Sequence, residues 1–247
     1  MLQMASITRS LHFIIIRRVL SMARLKWDQV GQRLFETGTS NGVLFATLPT
    51  GEYDAGVAWN GLVAVRQTPS GAEPTAIYAD NLKYLELMSA EEFGGTIEAY
   101  TYPDEFMLCD GSAEVVPGAN VSQQTRRTFG LAYKTLVGND VLGDAYGYKI
   151  HVIYNARVSP SERSYETVNE TPNAITFSWE FTTTAVPFEG EAYKTLRPTS
   201  HLVFDSTKLG AVVMATIEDK LFGAAAEGAS LPSPDELLDI ASGGAEG

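Results

Sequence analysis

A strict alternation of apolar and polar residues is the feature that most constrains the fold. Residues 175–182 read Ile-Thr-Phe-Ser-Trp-Glu-Phe-Thr, so every second side chain is large and apolar. Side chains of a β-strand alternate between its two faces, and the pattern therefore predicts a strand with one buried face. That face consists of Ile175, Phe177, Trp179 and Phe181.

Two further alternations predict a long antiparallel hairpin. The first comprises Phe129, Leu131 and Tyr133, and the second comprises Tyr148, Ile150, Val152 and Tyr154. They flank a polar, glycine-bearing segment, residues 138–147. Two matched strands joined by turn-forming residues are typical of a hairpin. The segment is longer than a hairpin turn needs, so we expect it to make contacts of its own.

From Gly42 onward, short strand-like runs are separated by turn residues, as in sandwiches and barrels. The sequence therefore predicts a mainly β protein, an antiparallel sandwich or barrel with one or two short helices. Asp205 to Thr207 predicts the start of a helix that ends at Gly223. A capping box from Ser233 to Glu236 predicts a terminal helix.

These patterns predict three regions along the chain. Residues 22–223 form the β-sandwich domain, and residues 224–247 form a linker, a short helix and a tail, with 224–230 and 242–247 expected to be mobile. Residues 1–21 contain three arginines, no acid and a short apolar run, which fits neither a membrane span nor a signal peptide. We interpret them as an over-extended N-terminus outside the fold, with Met22 as the first residue.

Charge and cysteine content exclude several classes of function. The net charge of −12 argues against a protein that grips DNA by its phosphates, because such surfaces are basic. The single cysteine, Cys109, excludes an internal disulfide and a thiolate zinc site. The three histidines, at 12, 151 and 201, have no metal-ligand spacing, and His151 is predicted at the surface. We find no phosphate-binding loop, dinucleotide fingerprint or nucleophile elbow, and predict no cofactor, metal or catalytic residue.

An acidic stretch, residues 89–111, is the strongest candidate for catalysis. Glu91 and Glu92 are adjacent, however, and adjacent helical side chains do not face each other. Ser89 and Glu92 have the spacing of a capping box, so we predict a helix N-terminus there. Asp104 and Glu105 follow Pro103, as at a first helical turn.

Three segments carry a family resemblance: residues 78–113, 123–169 and 174–184, the last reading AITFSWEFTTT. In order and spacing they resemble the major tail proteins of long, non-contractile-tailed bacteriophages. Residues 22–45 also resemble the start of such proteins. The resemblance implies a structural virion protein, encoded by a phage or prophage, that is assembled in the host cytoplasm and is not an enzyme.

The resemblance also implies partners. Subunits of this family form hexameric rings of β-sandwich domains around a lumen, and the rings stack on a tape-measure protein between terminator and tip proteins. DNA passes through the tube without specific binding, and no membrane span is expected. The family carries no catalytic or cofactor residues. We predict that residues 138–147 contribute to ring stacking through Asn139, Asp140 and Asp144.

Two other functions are compatible with the sequence. A carbohydrate-binding β-sandwich, virion-associated or secreted, would use Trp59, Trp179 or tyrosines as stacking platforms. A hydrolase would use Glu91 or Glu92 with Asp104 or Glu105, as glycosidases use two separated carboxylates.

Overall fold

The computed structural model describes residues 24–168 and 173–243. The proposed over-extended N-terminus, residues 1–21, and most of the predicted mobile tail lie outside the described residues.

The described chain is mainly antiparallel β-structure with short helices, which confirms the predicted fold class. Its strands are β1 (Leu34–Ala46), β2 (Val57–Trp59), β3 (Leu62–Gln67), β4 (Ser70–Gly71), β5 (Pro74–Ala79), β6 (Leu82–Met88), β7 (Glu91–Glu92), β8 (Gly94–Ala99), β9 (Ala113–Val116), β10 (Ala119–Val121), β11 (Phe129–Asn139), β12 (Gly143–Val158), β13 (Phe177–Thr183) and β14 (His201–Asp205). Its helices are α1 (Met107–Asp110), which follows a 3₁₀ turn (Asp104–Phe106), α2 (Ala211–Phe222) and α3 (Pro234–Ala241).

The main sheet curls back on itself. Its strand order is β2-β1-β11-β12-β13-β8-β3, and β14 pairs with the middle of β12, residues 149–153. The strands at the two ends of this order, β2 and β3, are joined by Asn60 and Gly61 alone. Since two residues span only a few ångströms, the two ends of the sheet must meet. The result is a barrel-like sandwich.

Two apolar cores lie on opposite faces of this sheet. The inner core fills the curled sheet and contains the large aromatic side chains. Its members include Trp59, Phe106, Phe129, Tyr133, Trp179 and Phe181. The outer core lies between the sheet and helices α2 and α3 and includes Phe45, Val152, Tyr154, Met214, Leu221 and Leu237. Strands β11 and β12 are therefore covered on both faces, which explains their long buried runs.

A bulge in β12 sets which side chains enter which core. Asn155 has a φ of +47°, and the pairing shifts between Leu131 opposite Ile153 and Phe129 opposite Ala156. Ile153 and Ala156 consequently both face the inner core. The bulge is held by Tyr53, whose hydroxyl donates to Asn155 Oδ1 and accepts from Asn155 N–H, both at 2.9 Å.

The predicted strands are mostly confirmed. The hairpin of β11 and β12 forms as expected. Strand β13 begins at Phe177, later than predicted, and Ile175 is exposed instead of sharing the buried face. Residues 38–42 lie within β1 at two irregular positions of its pairing with β11.

The terminal helices differ in how well their starts were predicted. The capping box of α3 is confirmed, because Ser233 Oγ accepts from Glu236 N–H and Glu236 Oε2 accepts from Ser233 N–H. Helix α2 starts at Ala211, later than predicted, because Asp205 ends β14 and its carboxylate instead accepts from Thr207 N–H at 2.9 Å. Its end at Gly223 is confirmed.

The linker before α3 is fastened to the sandwich, contrary to the expectation of mobility. Gly56 N–H donates to Ala229 O, and Ser230 N–H donates to Lys220 O, both at 2.8 Å.

Candidate self-assembly surface

A two-stranded ribbon leaves the sandwich where β3 and β8 end. Thr68 N–H donates to Gly94 O, the short strands β4 and β7 pair next, and β5 and β6 pair beyond them. We call residues 70–92 the arm. At about 3.3 Å per residue, an arm of this length extends up to roughly 35 Å from the sheet.

Turn chemistry at both ends of the arm explains why this sequence forms it. At the tip, Asp80 and Asn81 connect the strands with φ of +51° and +62°, as a two-residue hairpin turn of type I′ requires. At the base, Gly71 has a φ of +80°, and a Cβ there would collide with the Ala90 carbonyl oxygen. Only glycine fits this close crossing of the two strands.

The register of β5 and β6 collects apolar side chains on one face. Ile77 pairs with Leu85, Thr75 with Leu87 and Ala79 with Leu82. Side chains of paired residues lie on the same face, and so do those two residues apart along a strand. We call this the leucine face; it consists of Thr75, Ile77, Ala79, Leu82, Leu85 and Leu87.

The opposite face of the arm is mixed in character. Tyr78 pairs with Lys83 and Ala76 with Glu86, and the Lys83 ammonium forms an ion pair with Glu86. Tyr84 is the extra residue at the irregular step between the Ile77 and Tyr78 pairs.

The leucine face is open to solvent. Leu82 is 72% exposed, Leu87 is 55% and Leu85 is 38%. Within the described part of the chain, β5 and β6 pair with each other and with no third strand. An isolated hairpin is at best marginally stable in water, and a contiguous exposed apolar face marks an interaction site. Both free edges of the arm also offer unpaired backbone groups to another strand.

The predicted contact segment, residues 138–147, is not a long loop. Strand β11 continues to Asn139 and β12 starts at Gly143, so the connection is only three residues. The prediction that this loop is longer than a hairpin turn needs was wrong. The apolar–polar alternation ends before the strands do, because glycines occupy positions whose backbones are still paired.

The three residues proposed for ring stacking differ in their surroundings. Asn139 is buried, and its Oδ1 accepts from Val141 N–H and Leu142 N–H at 3.1 and 2.6 Å. Asp140 accepts from Gly31 N–H at 2.9 Å, while Asp144 is exposed. Asn139 therefore shapes the turn, and a role of the three in ring stacking stays a prediction.

We expect Asn139→Ala to lower the free energy of unfolding by about 1–2 kcal/mol, because three hydrogen bonds to backbone groups are lost at a buried site. Urea unfolding followed by circular dichroism measures this change. Asp144→Ala is the matched control and should leave stability unchanged; equal stability of the two variants would contradict the capping role.

The acidic stretch, residues 89–111, forms strands and short helical turns, and not the helix predicted to start at Ser89. Glu91 and Glu92 form β7 and pair with Gly71 and Ser70, so the predicted helix at Ser89 is wrong. Pairing within the ribbon prevails over the local capping signal. Asp104 and Glu105 do lie in a first helical turn, the 3₁₀ turn after Pro103, as predicted.

The tryptophans proposed as sugar-stacking platforms are buried. Trp59 is 3% exposed, and its indole N–H donates to Thr101 O at 2.9 Å. Trp179 is 1% exposed and packs edge-on against Trp59. Neither ring is available to a sugar.

His151 was predicted at the surface and is buried instead. Its ring stacks on Tyr133 at 4.7 Å and on His201 at 5.5 Å between ring centroids, and Phe93 stacks on the far side of His201 at 4.6 Å. His151 Nδ1 lies 3.3 Å from His201 Nε2. Burial lowers the pKa of both imidazoles to about 4. The alternation missed this cluster because β12 is covered on both faces.

Cys109 is buried, and burial raises its thiol pKa to about 12. Such a thiol is protonated at neutral pH and is not a nucleophile. In residues 24–168 and 173–243, no three His, Cys, Asp or Glu side chains are grouped so as to hold a metal ion.

None of the described helices has the length and apolar character needed to cross a membrane. No protein-family model matches the chain, and no curated protein matches it either.

Proposed function

We propose that the chain is the repeating subunit of a bacteriophage tail tube, a structural protein that assembles with copies of itself into rings and stacks of rings. The observation that carries this proposal is the arm: a two-stranded ribbon with an exposed leucine face on an otherwise well-packed sandwich. In a self-assembling protein, the partner that covers this leucine face is a second copy of the same chain. The sequence resemblance to major tail proteins supports the same assignment.

Charge agrees with a conduit for DNA. With a net charge of −12, the assembled subunits repel phosphates more than they attract them, so a duplex can slide. In this function the tube carries DNA into the host, and a tape-measure protein fills the lumen before that. No cofactor takes part.

Electron microscopy of the purified protein tests the proposal. Both the full chain and residues 22–247 should form rings or tubes with a central channel at high protein concentration. A companion variant in which residues 72–90 are replaced by Asn-Gly should stay monomeric and folded. A persistent monomer for both parent chains across salt and concentration would overturn the proposal.

A further inference from the structure

A polar cleft opens where the β9–β10 hairpin meets the loop after β12. The base of this hairpin is closed by Gln124 N–H, which donates to Gly111 O at 2.9 Å. Ser112 and Ser122 flank the hairpin and line the cleft, and Ser161 lines it from the loop after β12. The cleft has a volume of about 570 Å³.

Arg126 lies beneath the hairpin base with an unsatisfied donor. Gly111 ends α1 with a φ of +82°, and a Cβ there would lie 3.1 Å from Arg126 Cζ. The guanidinium is therefore packed closely against Gly111. Its Nε–H is buried and has no hydrogen-bond partner among the described residues. A buried donor without a partner lowers stability, so Arg126 is held at the cleft without hydrogen-bond compensation.

Arg163 supplies the second guanidinium group of the cleft, and this group is already ion-paired with a carboxylate. It forms an ion pair with Asp110, and its guanidinium lies over the rings of Tyr102 and Phe177, 5.6 Å from each centroid. The carboxylate is thus paired with Arg163, and no hydrogen bond joins it to Arg126 among the described residues.

The charge of the cleft is opposite to that of the chain. Its lining contains two guanidinium groups and one carboxylate, that of Asp110, while the whole chain carries −12. The remaining polar side chains are hydroxyls and amides, which donate hydrogen bonds to anions. Guanidinium groups match the oxygens of carboxylate and phosphate in geometry and charge.

We propose that this cleft binds an oxyanion, a phosphate or carboxylate group, held by Arg126 and Arg163 with help from the serine hydroxyls. The anion pairs with the Arg126 guanidinium where it lines the cleft and neutralises the local positive charge. It also ties the base of the β9–β10 hairpin to the loop after β12. Free phosphate and a carboxylate side chain from another copy of the chain are the two sources of this chemistry.

Thermal unfolding and calorimetry of the full chain test the proposal with inorganic phosphate and with acetate, each compared with sodium chloride at equal ionic strength. We expect 10 mM of the preferred oxyanion to raise Tm by about 3 °C, as a dissociation constant near 1 mM predicts. Arg126→Gln should weaken binding at least tenfold. The control Arg197→Gln removes an exposed arginine outside the cleft and should leave binding unchanged.

Stability without added anion separates a binding role from a purely structural one. Arg126→Gln removes a guanidinium without a hydrogen-bonding acceptor together with its attraction to Asp110, so the stability of the variant in chloride should stay close to that of the parent. A shift with phosphate identifies phosphate as the source, and a shift with acetate alone identifies a carboxylate; both support the cleft. No shift with either anion, or an equal shift in Arg126→Gln, would overturn the proposal.

Discussion

Replacing Leu85 and Leu87 together by aspartate should abolish tube assembly while leaving the subunit folded. Both side chains lie on the leucine face of the arm and contact solvent in the isolated subunit. Burying two carboxylates against an apolar partner surface costs several kcal/mol. Since 1.4 kcal/mol corresponds to a factor of ten, we expect the protein concentration needed for assembly to rise at least 100-fold. Light scattering and electron microscopy measure the change.

The opposite face of the arm provides the matched control. Lys83→Gln with Glu86→Gln removes an exposed ion pair on the same strand, β6, without touching the leucine face. An exposed pair contributes little to stability, so this variant should assemble as the parent does. The Tm of both double variants should match that of the isolated parent subunit. Assembly of the aspartate variant at the parent's concentration would contradict the assignment of the leucine face.

Mild acid should destabilise the subunit through the stacked histidines. In the folded protein the pKa of His151 and of His201 is about 4, whereas unfolded histidine titrates near 6.5. Between these values the unfolded chain binds more protons, so stability falls as pH falls from 6.5 to 4. We expect a loss of several kcal/mol for the pair over this window, at most about 7 kcal/mol and less where solvent screens the partly exposed rings.

Burial sets the direction of the two pKa shifts, and the hydrogen bonds around the rings agree with it. Thr135 Oγ1 lies 3.0 Å from His151 Nε2, and Gln67 Nε2 lies 3.5 Å from His201 Nε2. The Gln67 amide faces His201 Nε2 as a donor, which assigns the neutral tautomer in which His201 Nε2 also accepts from His151 Nδ1–H. A proton on His201 Nε2 would meet two donors and no acceptor. The charged groups nearby, Glu36 and Lys149, act on His151 in opposite directions, so they do not compensate the loss of this acceptor.

Urea unfolding at pH 7 and pH 5 measures the histidine effect, with the Leu85→Asp, Leu87→Asp variant as a monomeric background. His201→Gln keeps an acceptor for His151 and should reduce the loss of stability by about half. An unchanged pH dependence in His201→Gln would show that other groups are responsible.

Strand periodicity predicted the fold class and the central hairpin because those residues are governed by their immediate neighbours. Phe177, Trp179 and Phe181 alternate with polar residues, and a one-sided strand is the simplest structure that satisfies them. The capping box at Ser233 is equally local, since its donors and acceptors lie within one helical turn.

The features that sequence reasoning missed depend on distant partners. Ser89 and Glu92 carry a valid capping signal, yet Ser70 and Gly71 pair with this segment as a strand. Trp59 stands among glycines like an exposed ring, but the curled sheet encloses it. The arm had a usable signal, Asp80-Asn81 between two apolar runs, which is a hairpin turn pattern.

The order of pairing along the chain has a consequence for how the subunit folds. Strand β1 pairs with β11. During synthesis, Leu34 cannot pair until Asn139 has been made, and Ala46 cannot pair until Phe129 has been made. Such non-local pairing is slow because a long loop must close first. The arm, which needs only residues 70–92, can form much earlier on the ribosome. Each nascent chain therefore carries the apolar residues of the leucine face, at best in a marginally stable hairpin, before the sandwich has formed, and this exposes it to premature association.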